Sequence, residues 1–184
     1  MLKVLLVFAA VLVVAVVALA IVISTRPSEF RVSRSATIAA PPSVVFAQVN
    51  DFHKWEAWNP WGKLDPDMNT TYEGPDQGPG AKYAWVGDKN VGEGIMTIEE
   101  SQPNDRIRIK LEFLKPMKAT NTAEFTFHSE GDQTNVTWSM HGENNFMGKA
   151  VGLFMDMDKM IGDNFEKGLA DMKAIAESDA GATA

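Results

Sequence analysis

The stretch "RIRIKLEF", Arg106 to Phe113, alternates from end to end: Ile107, Ile109, Leu111 and Phe113 on one side, Arg106, Arg108, Lys110 and Glu112 on the other. Successive side chains of an extended chain point to opposite faces, so this reads as a strand with one wet and one buried face. Two segments downstream repeat the pattern. Ala123, Phe125 and Phe127 alternate with Thr122, Glu124, Thr126 and His128, then Val136, Trp138 and Met140 with Asn135, Thr137, Ser139 and His141. The polar turn "SEGDQT" joins these two, and "SQPND" joins a strand over 94–100 to Arg106–Phe113. With "FRVSRSATI", "NTTYE" and "AKYAWVG" upstream there are seven candidate strands, and the short turns make most of them antiparallel neighbours.

Helices bracket the strands. "APPSVVFAQVNDFHKW" opens on two prolines suited to a helix start, and Asn50-Asp51 offers a stop and a fresh cap for a second short helix. From about Lys149 to Glu177, Phe154, Met157, Ile161, Phe165, Gly168, Met172 and Ile175 recur at spacings of three and four, which predicts one long amphipathic helix. The last residues, 178–184, read as a frayed tail. The order strand, two short helices, six strands, long helix is that of an α+β domain. A seven-stranded sheet is roughly 30 Å wide, whereas one helix covers only about 10 to 12 Å. The sheet must therefore curl around the helix, and a hollow is expected at the end the helix does not plug.

The chain has 184 residues, room for one domain and an appendage. The appendage is Val4 to Ile23, "VLLVFAAVLVVAVVALAIVI", which carries no charge and as a helix would rise roughly 30 Å, the thickness of a bilayer's hydrocarbon. Ala18-Leu19-Ala20 resembles a signal-peptidase site, but the apolar run continues past it and exceeds a signal h-region, so an uncleaved single-pass anchor is expected. The chain then divides into an anchor over 1–25, a linker over 26–29, a domain over 30–177 and the tail. Lys3 stands on one side of the span and Arg26, Arg31 and Arg34 on the other, a bias too small to fix orientation; an extracytoplasmic domain is the expectation adopted. Without cysteine there is no disulfide, thiolate metal site or cysteine nucleophile. A net charge of −7 argues against a nucleic-acid partner, which needs a clustered positive face.

"WEAWNPW" places Trp55, Trp58 and Trp61, three of five tryptophans, where the chain turns back from the short helices to the sheet. Burying an indole is worth on the order of 4 to 6 kcal/mol as an upper bound, so leaving all three wet would be costly. They pin the short helices to the sheet, line a cavity rim, or meet the bilayer; sequence leaves the three open. Arg34 shares inward parity with Val32 and Ala36, for which a bulge or a snorkelling side chain is the expected explanation.

These elements resemble the START-like, or SRPBCC, superfamily with its helix-grip fold, and in particular its polyketide cyclase/dehydrase and lipid-transport-like branch. The segments that carry the resemblance are "RSATIAAPPSVVFAQVNDFHKWEAWNPW", "GPGAKYAWVG", "GEGIMTI", "TNVTWSMHG" and "FEKGLADMKAIA", within Phe30 to about Ala176. The resemblance implies a curved seven-stranded antiparallel sheet around a long C-terminal helix, with a hydrophobic pocket between them. Parity nominates its lining: Tyr83 and Trp85, Ile109, Leu111 and Phe113, Asn121 and Phe125, Trp138, and Phe154, Met157 and Ile161 from the helix, with the three clustered tryptophans at the rim. For each apolar member ordinary core is an equal reading. Asn121 is more telling, because a buried amide demands a partner.

Catalytic chemistry has little support. No H-E-x-x-H, G-x-S-x-G or P-loop pattern occurs, the three histidines read as solvated, and "DPDMN" (Asp65 to Asn69) lacks the spacing of a calcium loop. Only Tyr83, Asn121 and Glu99 or Glu100 offer themselves as polar pocket groups, and no catalyst, metal or cofactor is assigned. The expected function is a membrane-anchored protein that binds a small hydrophobic or amphipathic ligand, lipid- or isoprenoid-like, in its cavity. A cyclase- or dehydratase-like enzyme and a protein-interaction module using the Met-rich "FMGKAVGLFMDMDKM" are the alternatives.

Overall fold

All the strands expected from alternation form: β1 (Glu29–Ile38), β2 (Asn69–Glu73), β3 (Lys82–Val86), β4 (Glu93–Gln102), β5 (Arg106–Lys115), β6 (Ala119–Glu130) and β7 (Gln133–Glu143). The computed structural model describes residues 1–183. The strands make one curved antiparallel sheet in the order β1-β7-β6-β5-β4-β3-β2, a meander from β2 to β7 with the first strand set beside the last. Parity decides burial as expected. Ile107, Ile109, Phe125, Phe127, Val136, Trp138 and Met140 are buried, while Arg106, Arg108, Lys110 and Glu112 between them keep partial exposure.

One residue in β4 is extra. Ile98 pairs with Ile109 but Glu100 pairs with Arg108, so Glu99 bulges out of the ladder, which bends the strand and raises its twist. The bulge also brings the Glu100 carboxylate to Arg106 Nη2 at 2.6 Å and Arg108 Nη1 at 3.0 Å on the outer face. Glu100 is thus an outer-face ion-pair partner.

After β1 the chain forms α2 (Pro42–Asn50), with a proline in its first turn where the missing N–H costs nothing. A single 3₁₀ turn (Phe52–Lys54) and α3 (Trp55–Trp58) follow. The Asp51 carboxylate accepts from the His53 N–H at 2.9 Å and so caps the turn. α3 stops at Asn59, whose extended conformation is the one a following proline enforces.

The long C-terminal helix forms, with other bounds than expected. The helix predicted over about 149–177 is divided into α4 (Phe146–Val151) and α5 (Met157–Thr183), with a break over 152–156. α4 has its own start, since Asn145 Oδ1 accepts from the Gly148 N–H at 2.9 Å. A spacing of three between Phe154 and Met157 fits a short loop as well as a helix, so periodicity ran through the break unmarked. At the other end α5 continues over 178–183, the segment set aside as tail, although only Ala180 and Ala182 there are strong helix formers. Ala184 lies outside the described residues.

The chain divides into two compact units. The larger holds Arg31–Gly142 and the chain from Asp158 on. In it α5 runs over β1 and β7: Phe165 stacks on Trp138 of β7 at 4.1 Å, and Arg34 of β1 reaches Asp158 Oδ2 and Glu166 Oε1, both at 2.9 Å. Arg34 therefore solves its inward parity by pairing with two carboxylates of the helix, and a Cβ on Gly162 would run into its guanidinium. The smaller unit holds Met1–Phe30 and Glu143–Met157. Here α1 (Leu2–Ser24) is long and apolar enough to cross a membrane. α4 packs against α1, whose burial is confined to Ala20 and Ile23 near its end. The Asn144 N–H donates to the Ser28 carbonyl at 2.7 Å.

Candidate ligand-binding site

The last turn of α2 has carbonyls that no helical N–H reaches. Trp55 and Trp58 take two of them: Trp55 Nε1 donates to the Val49 carbonyl at 3.0 Å and Trp58 Nε1 to that of Gln48 at 3.2 Å. With their polar edges satisfied there, both indoles turn their rings into the trough and are at most 2% exposed. Their ring centroids are 4.6 Å apart. Trp58 meets Trp138 at 5.6 Å and Phe125 at 6.1 Å, both edge-on, and Trp61, half-buried, meets Trp138 at 5.8 Å. Trp138 itself is sandwiched between Phe125 at 4.9 Å and Phe165 at 4.1 Å. Gly168 of α5 makes the approach possible, since a Cβ there would lie 2.9 Å from Trp138 Cζ3 and 3.0 Å from Pro60 Cδ. The Trp138 Nε1–H is buried without an acceptor.

From Trp55 the rings continue through Phe52 at 5.2 Å to Tyr83 at 6.0 Å, then to Trp85 and Phe113. Gly94 faces Trp85 across the β3–β4 pair, and a Cβ there would overlap the indole, so glycine lets Trp85 lie across β4. Its Nε1 donates to the Val91 carbonyl at 3.1 Å. Burial pushes the Tyr83 phenol up to about 12, with the nearby Tyr72 and Glu56 adding to it. The phenol is neutral at physiological pH and is no base.

One row crosses the sheet at this level. Tyr83 pairs with Met96, Met96 with Leu111, Leu111 with Asn121, and Asn121 with Gly142. Tyr83 and Asn121 are thus three strand spacings apart, roughly 14 Å, and cannot act together as a catalytic pair. Asn121 is 8% exposed, inward as its parity requires, and among the described residues the buried polar side-chain groups left without a partner are Arg106 Nε, Trp138 Nε1 and His141 Nδ1, not its carboxamide. Beside it Leu111 and Phe113 are only half-buried, whereas Ile109, one step deeper, is fully covered.

The structure therefore brings together Trp55, Trp58, Trp61, Tyr83, Trp85, Phe113, Phe125 and Trp138 in one chain of ring contacts, with Ile109 buried in the same concave face. Leu111 and Asn121 join them through strand pairing, and Ile161 is half-buried on α5. Phe154 and Met157 belong to the smaller unit. Phe154 is 81% exposed in the loop before α5, because the break takes it off the helical stripe on which its inward placement depended. Phe52, Phe165 and Tyr72 are participants the parity argument passed over; Phe165 stood on the α5 stripe, and Phe52 lies three residues before Trp55, one helical turn away.

The indoles fill the trough themselves. Of the two described hollows neither is bounded by a tryptophan: one of about 150 Å³ lies among Phe52, His53, Tyr72 and Lys82, the other, of about 570 Å³, in the smaller unit. At the first, exposed His53 stacks on Tyr72 at 4.2 Å and its Nδ1 lies 3.0 Å from Asp51 Oδ1. Asp65, in the acidic turn, accepts from the Asp88 N–H at 2.7 Å and the Asp67 N–H at 3.2 Å and ties two loops together. Among the described residues no three His, Asp or Glu side chains converge on a common point.

Comparison with known proteins agrees with this architecture. No curated protein matches the chain. Solved structures match at low identity: a Thermobifida fusca protein at 20%, with a TM-score of 0.59 over 79% of this chain and 92% of that one. SA2116 from Staphylococcus aureus is 13% identical, with a TM-score of 0.60 over 84% and 97%. Aha1 from Colwellia psychrerythraea, solved as a dimer, is likewise 13% identical, with a TM-score of 0.58 over 80% and 96%. At such identities they speak for the fold alone. The family described as polyketide cyclase/dehydrase and lipid transport matches residues 29–177, from β1 into α5. With a helix-grip sheet, an α5 laid over β1 and β7, and a family match across nearly all of both, this chain belongs to the polyketide cyclase/dehydrase and lipid-transport family of the SRPBCC superfamily.

Proposed function

We propose that this protein holds a small hydrophobic or amphipathic molecule, lipid- or isoprenoid-like, at the end of the trough marked by Leu111, Phe113 and Asn121, tethered to a bilayer by α1 with its domain on the extracytoplasmic side. The single observation behind it is the Asn121 carboxamide, turned inward and paired across the sheet with Leu111, beside two half-buried apolar side chains of β5. A ligand's polar atom would take the place of water on this carboxamide while its apolar part covers Leu111 and Phe113. The family description, which includes lipid transport, supports the same class of ligand.

The packed centre gives this seat its floor. Trp58, Phe125 and Trp138 leave no room among themselves, so the ligand sits on the aromatic layer and does not thread through it. Tethering by α1 would raise the local concentration of a membrane-derived ligand without any added contact. Native mass spectrometry of the full chain, purified from its own membrane in mild detergent, tests the proposal. A reproducible small-molecule adduct is expected, lost several-fold in Asn121→Leu; a wild-type protein that is always empty would overturn it.

A further inference from the structure

The segment between β7 and α5 has an exposure that the ligand site does not use. Phe146 is 49% exposed, Met147 55%, Phe154 81% and Met155 49%, all within the smaller unit. An apolar cluster of this kind marks a contact with something. Its position along α1 says with what.

α1 is 23 residues long, and at 1.5 Å per residue it rises about 34 Å, against roughly 30 Å of hydrocarbon. Its only covered positions are Ala20 and Ile23, in its last turns, and α4 is the element that packs on it. Asn144, two residues before α4, is hydrogen-bonded to Ser28, four residues after α1 ends. If α1 crosses a bilayer, α4 and the loop after it lie at the boundary between acyl chains and headgroups. No other depth is open to them.

The surroundings suit that boundary. Arg26 and Lys149 line the open hollow of about 570 Å³ together with Glu29 and Asp156, a mixed-charge rim suited to a zwitterionic headgroup, and its walls also include Leu153, Phe154 and Met155. Cationic groups at the phosphate level above apolar side chains are the arrangement of an interfacial segment, and long basic side chains at a span's end reach toward headgroups. We infer that residues 146–155 form a membrane-surface foot: Phe146, Met147, Phe154 and Met155 enter the outer acyl region, and a phospholipid headgroup occupies the hollow beside Arg26 and Lys149. The inference rests on the reading of α1 as a membrane span, and the partner it commits to is the lipid bilayer.

The absence of cysteine makes the test direct. Full-length Phe154→Cys and Met147→Cys, each labelled with an environment-sensitive nitrobenzoxadiazole dye, are reconstituted in phosphatidylcholine vesicles, with labelled Val11→Cys reporting on α1. Both sites are exposed, so the substitutions leave packing intact. The expected result is a blue-shifted emission at 147 and 154, quenching by lipid bearing a nitroxide near the headgroup, and a several-fold loss of iodide quenching relative to the dye on free cysteine. If Val11 is quenched by acyl-chain nitroxide while 147 and 154 stay open to iodide, the foot is overturned and the tether stands. If Val11 also stays open to iodide, both fall. A shielding at 147 and 154 that disappears when the protein is diluted among vesicles would assign the patch to a second copy and overturn the lipid assignment.

Discussion

Trp138 touches five aromatic rings, Trp55, Trp58, Trp61, Phe125 and Phe165, which makes it the point where α3, the sheet and α5 meet. Its tolerance for added volume is correspondingly small. Gly168→Ala would set a methyl 2.9 Å from Trp138 Cζ3 and 3.0 Å from Pro60 Cδ, and neither atom is the free end of a flexible chain. Overpacking of about 1 to 3 kcal/mol should outweigh the roughly 1 kcal/mol of helix propensity gained, so a lower urea midpoint is expected. The tyrosines give a second test, since the chain has only Tyr72 and Tyr83. Both are raised above the ordinary 10.0, Tyr83 to about 12, chiefly by burial. Absorbance at alkaline pH should show no phenolate step at the ordinary value, with Tyr83 ionising last. Because the folded values lie above the unfolded ones, this stability is complete below pH 10.0 and is lost as pH rises through the folded values.

Elements fix what the residues above can do. Arg34 couples β1 to the first turns of α5, and its hydrogen bond holds the Asp158 carboxyl below its ordinary value. The Arg106 guanidinium does the same for Glu100 across the β4 bulge. Depressed carboxyls stabilise the fold above their unfolded values, 3.8 and 4.5 here, and that contribution is lost as pH falls through the lower folded values. A thermal midpoint that drops below pH 4.5 in the wild type should drop less steeply in Glu100→Gln. Gly162→Ala, six residues before Gly168 in α5, should have the same sign as Gly168→Ala. Its Cβ would run into the Arg34 guanidinium, which can give way only by leaving Asp158 and Glu166, so the lost pairing should outweigh the roughly 1 kcal/mol of helix propensity gained and the urea midpoint should fall. The cap at Asp51 belongs to this scale too: Asp51→Ala leaves the His53 N–H without its acceptor and should cost about 1 kcal/mol of stability.

For the whole molecule, the separation into two units predicts what truncation does. A chain starting at Pro27 loses α1, which belongs to the smaller unit and packs on α4, so the buried tryptophans should keep their emission maximum and near-UV dichroism. Hydrogen exchange should rise over residues 143–157 alone; a rise across the sheet would contradict the division. The strands and their inward faces were legible in the sequence, because alternation at period two sets burial with no reference to neighbours: Ile109 and Phe125 follow from their own segments. α1 was legible for the same reason, its length and apolarity being properties of the segment. The division of α4 from α5 was not, since Phe154 and Met157 keep helical spacing across a loop. Nor was the pairing of Arg34 with Asp158 and Glu166, more than a hundred residues away, or the filling of the trough by Trp58, Trp138 and Phe165. The sequence by itself determined which strand residues face inward; only the tertiary structure decided which of them meet, because contact between distant segments depends on how strands and helices pack and leaves no periodic mark along the chain.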